Sequence, residues 1–349
     1  MSAPAPTQIS APDLEFVDIP ATALKVSRIG LGTWAMGGWM WGGTDQKESI
    51  ATIHAALDQG INLIDTAPVY GFGESETIVG AALAGIRTEA VIATKAGLEW
   101  RGGKVFRNAS RARILQEVDD SLRRLRTDYI DIYQVHWPDP LVPVEETAEA
   151  MRWLYEQGKI RAIGVSNFSL AQMQSFHRAA PLHVLQSPYN LFERNLEGQI
   201  LRYCQANGIA TLGYGALCRG LLSGRMRPDT IFAGGDLRRL DPKFQPPRHA
   251  QYLEAVAQLD KFAQRRFQRR VIQLAVRWVL DQGVNVALWG GRRPDQLAAA
   301  FGVAGWSLNS VDRALIDLIV NSAVTEPVGP EFMAPPPRTQ SIIDTQVST

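Results

Sequence analysis

Short apolar runs alternate with amphipathic stretches along most of this chain, and the alternation repeats eight times. A run such as residues 61–65 (INLID) or 130–136 (IDIYQVH) has the length and composition of a buried parallel strand. The stretches between the runs, such as residues 46–59, place apolar residues at helical spacing. Eight strand and helix units in succession predict an α/β fold, a (β/α)8 TIM barrel.

The predicted boundaries follow from the ends of these runs and from the Gly and Pro residues beside them. The strands are expected at residues 27–33, 61–65, 91–95, 130–136, 160–166, 183–186, 209–214 and 284–288. The helices are expected at residues 46–59, 74–84, 111–125, 143–157, 169–179, 196–207, 251–267, 271–282 and from Pro294 onward.

Three further features are predicted around the barrel. Residues 14–17 and 24–26 flank a Pro-containing turn and predict an N-terminal β-hairpin that covers the bottom of the barrel. Residues 215–247 form a long loop after the seventh strand, and residues 311–320 predict an extra C-terminal helix. The domains expected are a flexible leader over 1–13, one barrel domain over 14–330 and a mobile tail over 331–349.

The balance of acidic and basic residues bears on whether the chain binds nucleic acid or a membrane. With 36 Lys and Arg against 35 Asp and Glu the formal net charge is +1, which gives no basis for binding nucleic acid or an anionic membrane. Cys204 and Cys218 are too few for a disulfide framework, and no run approaches the roughly 20 apolar residues of a membrane span. These features predict a cytoplasmic protein with a small-molecule partner and leave a homo-oligomer open.

Ionisable residues close three of the predicted strands. Asp65, Lys95 and His136 each come last in an apolar run, and the carboxyl ends of the strands of a parallel barrel meet on one face. Tyr70 follows Asp65 in a glycine-containing loop that can turn tightly and aim the phenol at this face. Because an adjacent ammonium favours the phenolate, Tyr70 is expected to exchange a proton closer to neutral pH than a free tyrosine.

Each of these residues also has an alternative role. Asp65 and Lys95 can form an ion pair that only stabilises the barrel mouth, Tyr70 can be an aromatic wedge, and His136 can be a satisfied core histidine. The Trp-Pro pair after His136 marks the end of the strand and places the imidazole at the rim, where it could polarise a substrate oxygen. The other four histidines share no ligand spacing, so no metal site is predicted.

Six short sequence strings stand at or near the predicted strand ends. They are GLGTW at 30–34, DTAPVY at 65–70, ATK at 93–95, QVHW at 134–137, GVSNF at 164–168 and LQSPYN at 185–190. Their identity and order resemble the aldo-keto reductases, and the likeness spans residues 25–320. Tyr214 and Gln296 resemble the branch that includes bacterial general-stress and sugar-aldehyde reductases and potassium-channel β subunits.

The resemblance implies a barrel that binds NADPH without a Rossmann domain, in agreement with the lack of a strand followed by Gly-x-Gly-x-x-Gly in the sequence. It implies that Asp65, Tyr70, Lys95 and His136 are the catalytic residues. In that scheme hydride passes from the nicotinamide to a carbonyl carbon, and Tyr70 gives a proton to the oxygen. Lys95, paired with Asp65, lowers the pKa of Tyr70, and His136 orients and polarises the carbonyl.

The resemblance also implies cofactor positions along the strand ends. Ser166, Asn167 and Gln186 would hydrogen-bond the carboxamide. Tyr214 would stack on the nicotinamide ring, and Thr33 and Trp34 would line its other side. As alternatives, Ser166 and Asn167 could simply begin a turn, and Gln186 could tie down a loop. The full cofactor set is Thr33, Trp34, Asp65, Ser166, Asn167, Gln186, Tyr214, Gly215, Ala216, Leu217, Gly220, Arg225, Gly290, Arg292 and Gln296.

Two segments are implied for the phosphate and adenosine ends of the cofactor. Residues 215–225 resemble the loop that crosses the pyrophosphate, and residues 290–296 resemble the segment around the adenosine. Arg292 offers a planar fork suited to a 2′-phosphate, so NADPH is predicted over NADH, with a solvated surface arginine as the alternative. Gly290 and Gly291 stand where related chains often carry a Lys-Ser pair, which predicts a weaker grip on the adenine.

The loop after the first strand, residues 34–43, is dense in Trp and Gly and leads straight out of the barrel. We predict that it forms a substrate wall that favours an apolar or aromatic aldehyde. As an alternative, Trp39 and Trp41 could pack against another subunit. The full substrate set is Trp34, Trp39, Trp41, Tyr70, Phe72, His136 and Trp137.

Three functions follow from these residues. The preferred one is NADPH-dependent reduction of an aldehyde or ketone with Tyr70 as the general acid. One alternative is an NADPH-binding regulatory or sensor subunit with slow turnover. The other is a barrel lyase that uses Lys95 as a Schiff-base nucleophile.

Overall fold

The structure, a computed structural model, describes residues 14–338 of the chain. Its strands are β1 (Phe16–Asp18), β2 (Lys25–Ser27), β3 (Ile29–Gly32), β4 (Leu63–Asp65), β5 (Val91–Ala96), β6 (Leu98–Arg101), β7 (Lys104–Arg107), β8 (Ile130–Val135), β9 (Ile160–Ser166), β10 (Val184–Pro188), β11 (Ala210–Tyr214) and β12 (Val286–Gly290). Its α-helices are α1 (Gln46–Asp58), α2 (Glu74–Ala82), α3 (Arg111–Leu125), α4 (Val144–Glu156), α5 (Leu170–Ala179), α6 (Gln199–Ala206), α7 (Arg248–Phe267), α8 (Val271–Asp281) and α9 (Ser310–Ala323).

The eight strands β3, β4, β5, β8, β9, β10, β11 and β12 pair in parallel in chain order, and β12 closes onto β3. The predicted (β/α)8 barrel is therefore confirmed. The register sets Asp65 beside Ala93 and Lys95 beside Gln134, so the polar strand ends stand at similar heights. Because all eight strands run the same way, these ends open onto one mouth of the barrel.

The opposite end of the barrel is closed by the hairpin of β1 and β2, which confirms the predicted N-terminal hairpin. Ile19, Leu24 and Val26 from this hairpin are buried in one apolar cluster with Leu63 and Ile132 from the barrel interior. The N-terminal end of the barrel is thus filled with aliphatic side chains. Solvent reaches the polar groups from the other mouth.

The segment after β12 differs from the predicted last barrel helix. It forms two 3-10 turns, Pro294–Leu297 and Ala300–Val303. Its backbone bonds run to the third preceding residue, as from the N–H of Gln296 to the carbonyl of Arg293 at 3.1 Å, and the indole Nε1 of Trp289 donates to the carbonyl of Gln296, also at 3.1 Å. The predicted extra C-terminal helix is confirmed as α9.

The chain beyond residue 331 also differs from the expected mobile tail in the part that the structure describes. Glu331–Met333 form a 3-10 turn, and the backbone N–H of Arg107 donates to the carbonyl of Pro336 at 3.0 Å. Arg338 forms an ion pair with Asp139 at 3.2 Å. The expected leader at 1–13 and residues 339–349 of the expected tail lie outside the described residues.

Between residues 14 and 338, no helix combines the length and apolar character needed to cross a membrane.

Candidate active site

A buried ion pair lies at the base of the open mouth. The Nζ of Lys95 donates to Asp65 at 2.7 Å and to the carbonyl of Thr66 at 2.9 Å. The second carboxylate oxygen of Asp65 accepts from the Nε2 of Gln186 at 2.7 Å. Burial lowers the pKa of Lys95, and the neighbouring Asp65 carboxylate opposes that shift. The predicted proximity of Asp65 and Lys95 is therefore what the structure shows.

The loop after β4 brings Tyr70 over this pair. The Nζ of Lys95 lies 5.0 Å from the centroid of the Tyr70 ring. Gly71 has a φ of +70°, and a Cβ there would stand 2.0 Å from the carbonyl oxygen of Gly37. Only glycine permits that close approach, so the loop can fold against the first loop and hold Tyr70 at the mouth.

Two rings flank the Tyr70 ring. Trp34 stacks on it with ring centroids 5.8 Å apart, and His136 meets it edge-on, also at 5.8 Å. Within residues 14–338 the Tyr70 hydroxyl makes no hydrogen bond, and the residue lines the cavity described below. The hydroxyl and the imidazole are thus placed to act on the same bound molecule.

The pKa of Tyr70 moves in the direction opposite to the one expected. Burial raises the pKa of the phenol well above its ordinary value, and the negative charge of Asp65 adds to the rise. The ammonium of Lys95 does not reverse this because Asp65 compensates its charge at 2.7 Å. Tyr70 is therefore held as a neutral phenol that carries a proton.

His136 is held in its neutral form. Its imidazole lies deep in the mouth, where burial lowers its pKa well below the ordinary value, and the charge of Lys95 lowers it further. A neutral imidazole can donate one N–H to a substrate oxygen but does not bring a positive charge of its own.

Asn167 links the neighbouring strand ends. It has a left-handed φ of +62°, and its amide nitrogen donates to the carbonyl of His136 and to the Ser166 hydroxyl, both at 3.0 Å. Its amide oxygen accepts from the Tyr214 hydroxyl at 2.9 Å. This arrangement fixes the ring of Tyr214 beside the mouth.

A cavity of about 550 Å³ extends from Tyr70 and His136 to Arg292 and Gln296. The predicted cofactor residues that line it are Trp34, Asp65, Ser166, Asn167, Gln186, Tyr214, Gly215, Leu217, Gly220, Gly290, Arg292 and Gln296. The predicted substrate residues that line it are Trp34, Trp39, Trp41, Tyr70, His136 and Trp137. The structure thus brings most of both sets to one continuous cleft.

Four residues of the predicted cofactor and substrate sets do not line this cavity. Thr33 is fully buried behind the wall, where its hydroxyl donates to the carbonyl of Asp65 at 2.9 Å, and Ala216 is also fully buried. Arg225 is exposed outside the cavity. Phe72 packs behind Trp39 with ring centroids 4.9 Å apart and supports the substrate wall from outside.

The Arg292 guanidinium lies at the far end of the cavity and already has partners. Its Nη1 donates to the carbonyl of Trp41 at 2.8 Å and approaches that of Gly43 at 3.4 Å. Its backbone N–H donates to the Gln296 side chain at 2.9 Å. Arg292 therefore connects the first loop with the segment after β12.

Sequence reasoning missed several residues of the cavity wall. The hairpin of β6 and β7 contributes Leu98 and Val105, and the C-terminal segment contributes Phe332 and Met333. A signal for the hairpin was present, since a Gly-Gly pair at 102–103 separates two runs of alternating polarity. Both glycines have positive φ, 53° and 77°, as a tight hairpin turn requires.

A buried charge cluster that the sequence did not reveal holds the loop after β11. Cys218, Arg219 and Gly220 have φ of 46°, 55° and 90°, a left-handed succession that is costly for the two non-glycine residues. Arg219 donates to Asp241 at 2.6 Å and to Glu193 at 2.5 Å, and all three side chains are buried. These charge-assisted hydrogen bonds hold the loop in its strained shape at the cavity wall.

Across residues 14–338 no group of three His, Cys, Asp or Glu side chains is arranged to hold a metal ion. The absence of a metal site in the full chain stays a prediction.

Comparisons with known proteins agree with the barrel fold. The model of the aldo/keto reductase family matches residues 28–321. The chain is 60% identical over 328 residues to the aldo-keto reductase YhdN of Bacillus subtilis (strain 168), covering 93% of this chain and 99% of that protein. It is 35% identical over 317 residues to the NADH-specific methylglyoxal reductase of Escherichia coli (strain K12), covering 86% of this chain and 96% of that protein.

Among solved structures, the glycerol dehydrogenase AKR11B4 from Gluconobacter oxydans is similar, with a TM-score of 0.83 and 52% identity. The match covers 91% of this chain and 99% of that chain. The family match over most of the sequence and the high identity over nearly full length agree with each other. The chain belongs to the aldo/keto reductase family and is an oxidoreductase that acts on carbonyl or alcohol groups.

Proposed function

We propose that this chain is an NADPH-dependent aldo-keto reductase that reduces an apolar or aromatic aldehyde or ketone, with Tyr70 as the general acid. One observation carries the proposal. The Tyr70 hydroxyl, the His136 imidazole and the Lys95–Asp65 pair meet at the inner end of a cavity of about 550 Å³. When bound, the cofactor supplies the hydride that the carbonyl carbon receives.

Tyr70 is suited to donate a proton to the substrate oxygen. Its raised pKa keeps the phenol protonated at neutral pH, and its hydroxyl has no competing partner within residues 14–338. An alkoxide that forms at the carbonyl oxygen is a far stronger base than a phenolate, so the proton moves toward it. Lys95, 5.0 Å from the ring, stabilises the phenolate that remains.

His136 orients the carbonyl. As a neutral imidazole in the wall, it can donate a hydrogen bond to the same oxygen that Tyr70 protonates. Because the neutral imidazole keeps its own N–H proton, the proton that the substrate oxygen receives comes from Tyr70.

The cavity fits a dinucleotide. At Gly290, which lines the cavity, no atom lies within 4 Å of the place where a Cβ would stand, so a side chain would project into the open cleft. Gly215, Gly220 and Tyr214 line the same cleft and offer backbone groups and a ring face. Ser166, Asn167 and Gln186 also line the cleft and would hold the carboxamide.

NADPH is proposed over NADH because of Arg292. Its Nη1 is held by the carbonyls of Trp41 and Gly43, which leaves the other edge of the planar guanidinium for a 2′-phosphate. The Escherichia coli relative named as NADH-specific makes this preference a matter for direct measurement. Arg292→Ala is expected to weaken NADPH binding about 10-fold or more and to leave NADH binding nearly unchanged, measured by quenching of protein fluorescence. Equal losses for both cofactors would refute the assignment.

The wall around Tyr70 supports an apolar substrate. Trp34, Trp39 and Trp137 line the cavity beside Tyr70, together with Val69 and Leu98. Aromatic and aliphatic surface of this kind favours an apolar or aromatic carbonyl compound over a charged one. Since Trp39 and Trp41 line the cavity, the proposal places them in the substrate and cofactor wall. A cytoplasmic location and a homo-oligomer stay predictions.

The geometry favours a charge-pairing role for Lys95 over a Schiff-base role. Its Nζ is buried, does not line the cavity and is held by Asp65 and the Thr66 carbonyl. A lysine nucleophile has to present a neutral amine to the carbonyl carbon. Borohydride trapping with substrate is expected to leave Lys95 unlabelled.

The test is the absorbance loss of NADPH with benzaldehyde, butanal and glyceraldehyde for the wild type and for Tyr70→Phe. We expect Tyr70→Phe to lower kcat by about 10²-fold or more, the usual loss for a general acid, with little change in NADPH affinity. Near-normal turnover of the variant would show that Tyr70 is not the proton donor. A wild type that binds NADPH but turns over no carbonyl compound would favour the sensor alternative.

A further inference from the structure

We propose that Arg107 is a positioning residue that sets the substrate specificity of this site, by holding Trp137 and the C-terminal segment Phe332–Pro336 as one wall. The inference rests on the proposed function and concerns the selection of bulky over small carbonyl substrates. Arg107 does not itself line the cavity, and it touches neither of the groups that act on the carbonyl.

Arg107 is the last residue of β7, and it joins three separate parts of the chain. Its Nε donates to the carbonyl of Pro335 at 2.7 Å, and its backbone N–H donates to that of Pro336 at 3.0 Å. Its Nη1 donates to the carbonyl of Pro138 at 3.0 Å, in the loop after β8. A planar guanidinium can reach acceptors on two segments at once, which an ammonium on a flexible chain does not do.

The same guanidinium lies over the ring of Trp137, with its central carbon 5.1 Å from the centroid. Trp137 directly follows His136 and lines the cavity. The cation–π contact and the bond to Pro138 therefore fix the indole from behind, on the side away from the substrate.

These bonds hold one end of the C-terminal segment, whose other end contacts Arg219 through Phe332 and Met333. Phe332, Met333, Pro335 and Pro336 line the cavity. Their backbone is attached near Arg107 by the two carbonyl contacts and, further along, by the Arg338–Asp139 pair at 3.2 Å. A substitution of the Arg107 side chain keeps the backbone bond to Pro336 but removes the Nε bond to Pro335 and the Nη1 bond that joins this segment to the Trp137 loop through Pro138.

A small aldehyde meets Tyr70 and His136, whereas a bulky one also meets Trp137 and the C-terminal segment. Disturbing the wall should therefore raise KM for the bulky substrate and spare the small one. This split separates a positioning role from a loss of catalytic groups, which would lower kcat for both.

The experiment compares kcat and KM for cinnamaldehyde and propanal with NADPH in the wild type, Arg107→Met, Arg107→Lys and Arg101→Met. Arg101 lies in the same hairpin and, among residues 14–338, its only ion-pair partner is Glu99 at the surface, so Arg101→Met is the matched control. We expect Arg107→Met to lower kcat/KM for cinnamaldehyde about 10-fold or more, mainly through KM, and propanal by less than about 2-fold.

Arg107→Lys is expected to behave like Arg107→Met, because a lysine ammonium keeps the charge but lacks the planar guanidinium that donates to two segments. Full recovery in Arg107→Lys, an equal loss for both aldehydes, or no loss for either would overturn the proposal. Retained turnover of propanal shows that the variants are folded.

A second readout does not need activity. Amide hydrogen exchange of residues 331–334 should quicken in Arg107→Met and stay unchanged in Arg101→Met, and equal exchange in the two would overturn the positioning role. Should the wild type reduce neither aldehyde, the proposed function fails, while the exchange measurement still decides whether Arg107 holds the wall.

Discussion

Replacing Asp65 with Asn tests how the buried ion pair is held. Asp65 lies 2.7 Å from the Nζ of Lys95, and both side chains are almost fully buried. At that distance an effective dielectric of about 20 gives an attraction of about 6 kcal/mol. In Asp65→Asn, Lys95 can avoid an uncompensated charge by releasing its proton.

The free-energy cost of releasing the Lys95 proton sets the loss of stability in Asp65→Asn. Relative to an ordinary lysine pKa of 10.5, a neutral amine costs about 5 kcal/mol at about pH 7 and about 2 kcal/mol at about pH 9. Because about 6 exceeds about 5 kcal/mol, the proton leaves at both pH values. The folded variant then binds fewer protons than the unfolded chain, so its stability rises with pH by about 1.4 kcal/mol per unit.

The measurement is chemical denaturation followed by Trp fluorescence at the two pH values. We expect the deficit of Asp65→Asn in the free energy of unfolding to shrink by about 3 kcal/mol between about pH 7 and about pH 9. Asp131→Asn is a matched control, since the partners of Asp131 are Arg87 and Arg161, which keep their protons. The double variant Asp65→Asn with Lys95→Met should lose the pH dependence. A deficit that is constant with pH would refute the reasoning.

Two further predictions concern a buried carboxyl and a glycine of the cleft. Burial raises the pKa of Glu117 to about 7, so the folded state holds a proton there that the unfolded chain lacks, and the contribution of Glu117 to stability should fall as pH rises from about 4.5 to 7. Compared with the wild type, Glu117→Gln should raise the free energy of unfolding at about pH 7, relative to its value at about pH 4.5, by up to about 3 kcal/mol in denaturation curves. An unchanged pH dependence would contradict the assignment. Gly290→Ala should leave the melting temperature unchanged, because no atom lies within 4 Å of the place where its Cβ would stand. Gly30→Ala, whose Cβ would stand 2.8 Å from Leu288, should instead lower stability, and a reversed pattern would count against the cleft assignment.

The barrel and the convergence of its polar strand ends could be predicted from the sequence because both follow from local pattern. Asp65, Lys95 and His136 stand at the ends of apolar runs, and parallel closure brings such ends together whatever the loops do. The 3-10 turns after β12 could not be predicted in this way. The contacts around them are tertiary, such as the bond from the Trp289 indole to the carbonyl of Gln296, and no local pattern contains such contacts.

Of the cavity-wall segments that were not predicted, one had a local sequence pattern and the other depends on a distant residue. The β6 and β7 hairpin had a local signal in its Gly-Gly pair, and reading that signal would have found it. The C-terminal segment had none, since its Pro-rich composition is typical of disorder. It is held by Arg107, more than two hundred residues earlier, which the composition of the segment itself cannot reveal.

The pKa of Tyr70 marks the limit of reasoning from proximity. Its nearness to Lys95 could be predicted, and an isolated ammonium would have lowered the pKa of the phenol. The direction of the pKa shift instead depends on two features that exist only in the folded chain. They are the burial of the Tyr70 ring and the Asp65 carboxylate that lies 2.7 Å from the ammonium of Lys95. Because Asp65 compensates the charge of Lys95, burial has the larger effect on the pKa of Tyr70. The arrangement thus keeps the proton on Tyr70 until a stronger base forms beside it, which is what a general acid for carbonyl reduction requires.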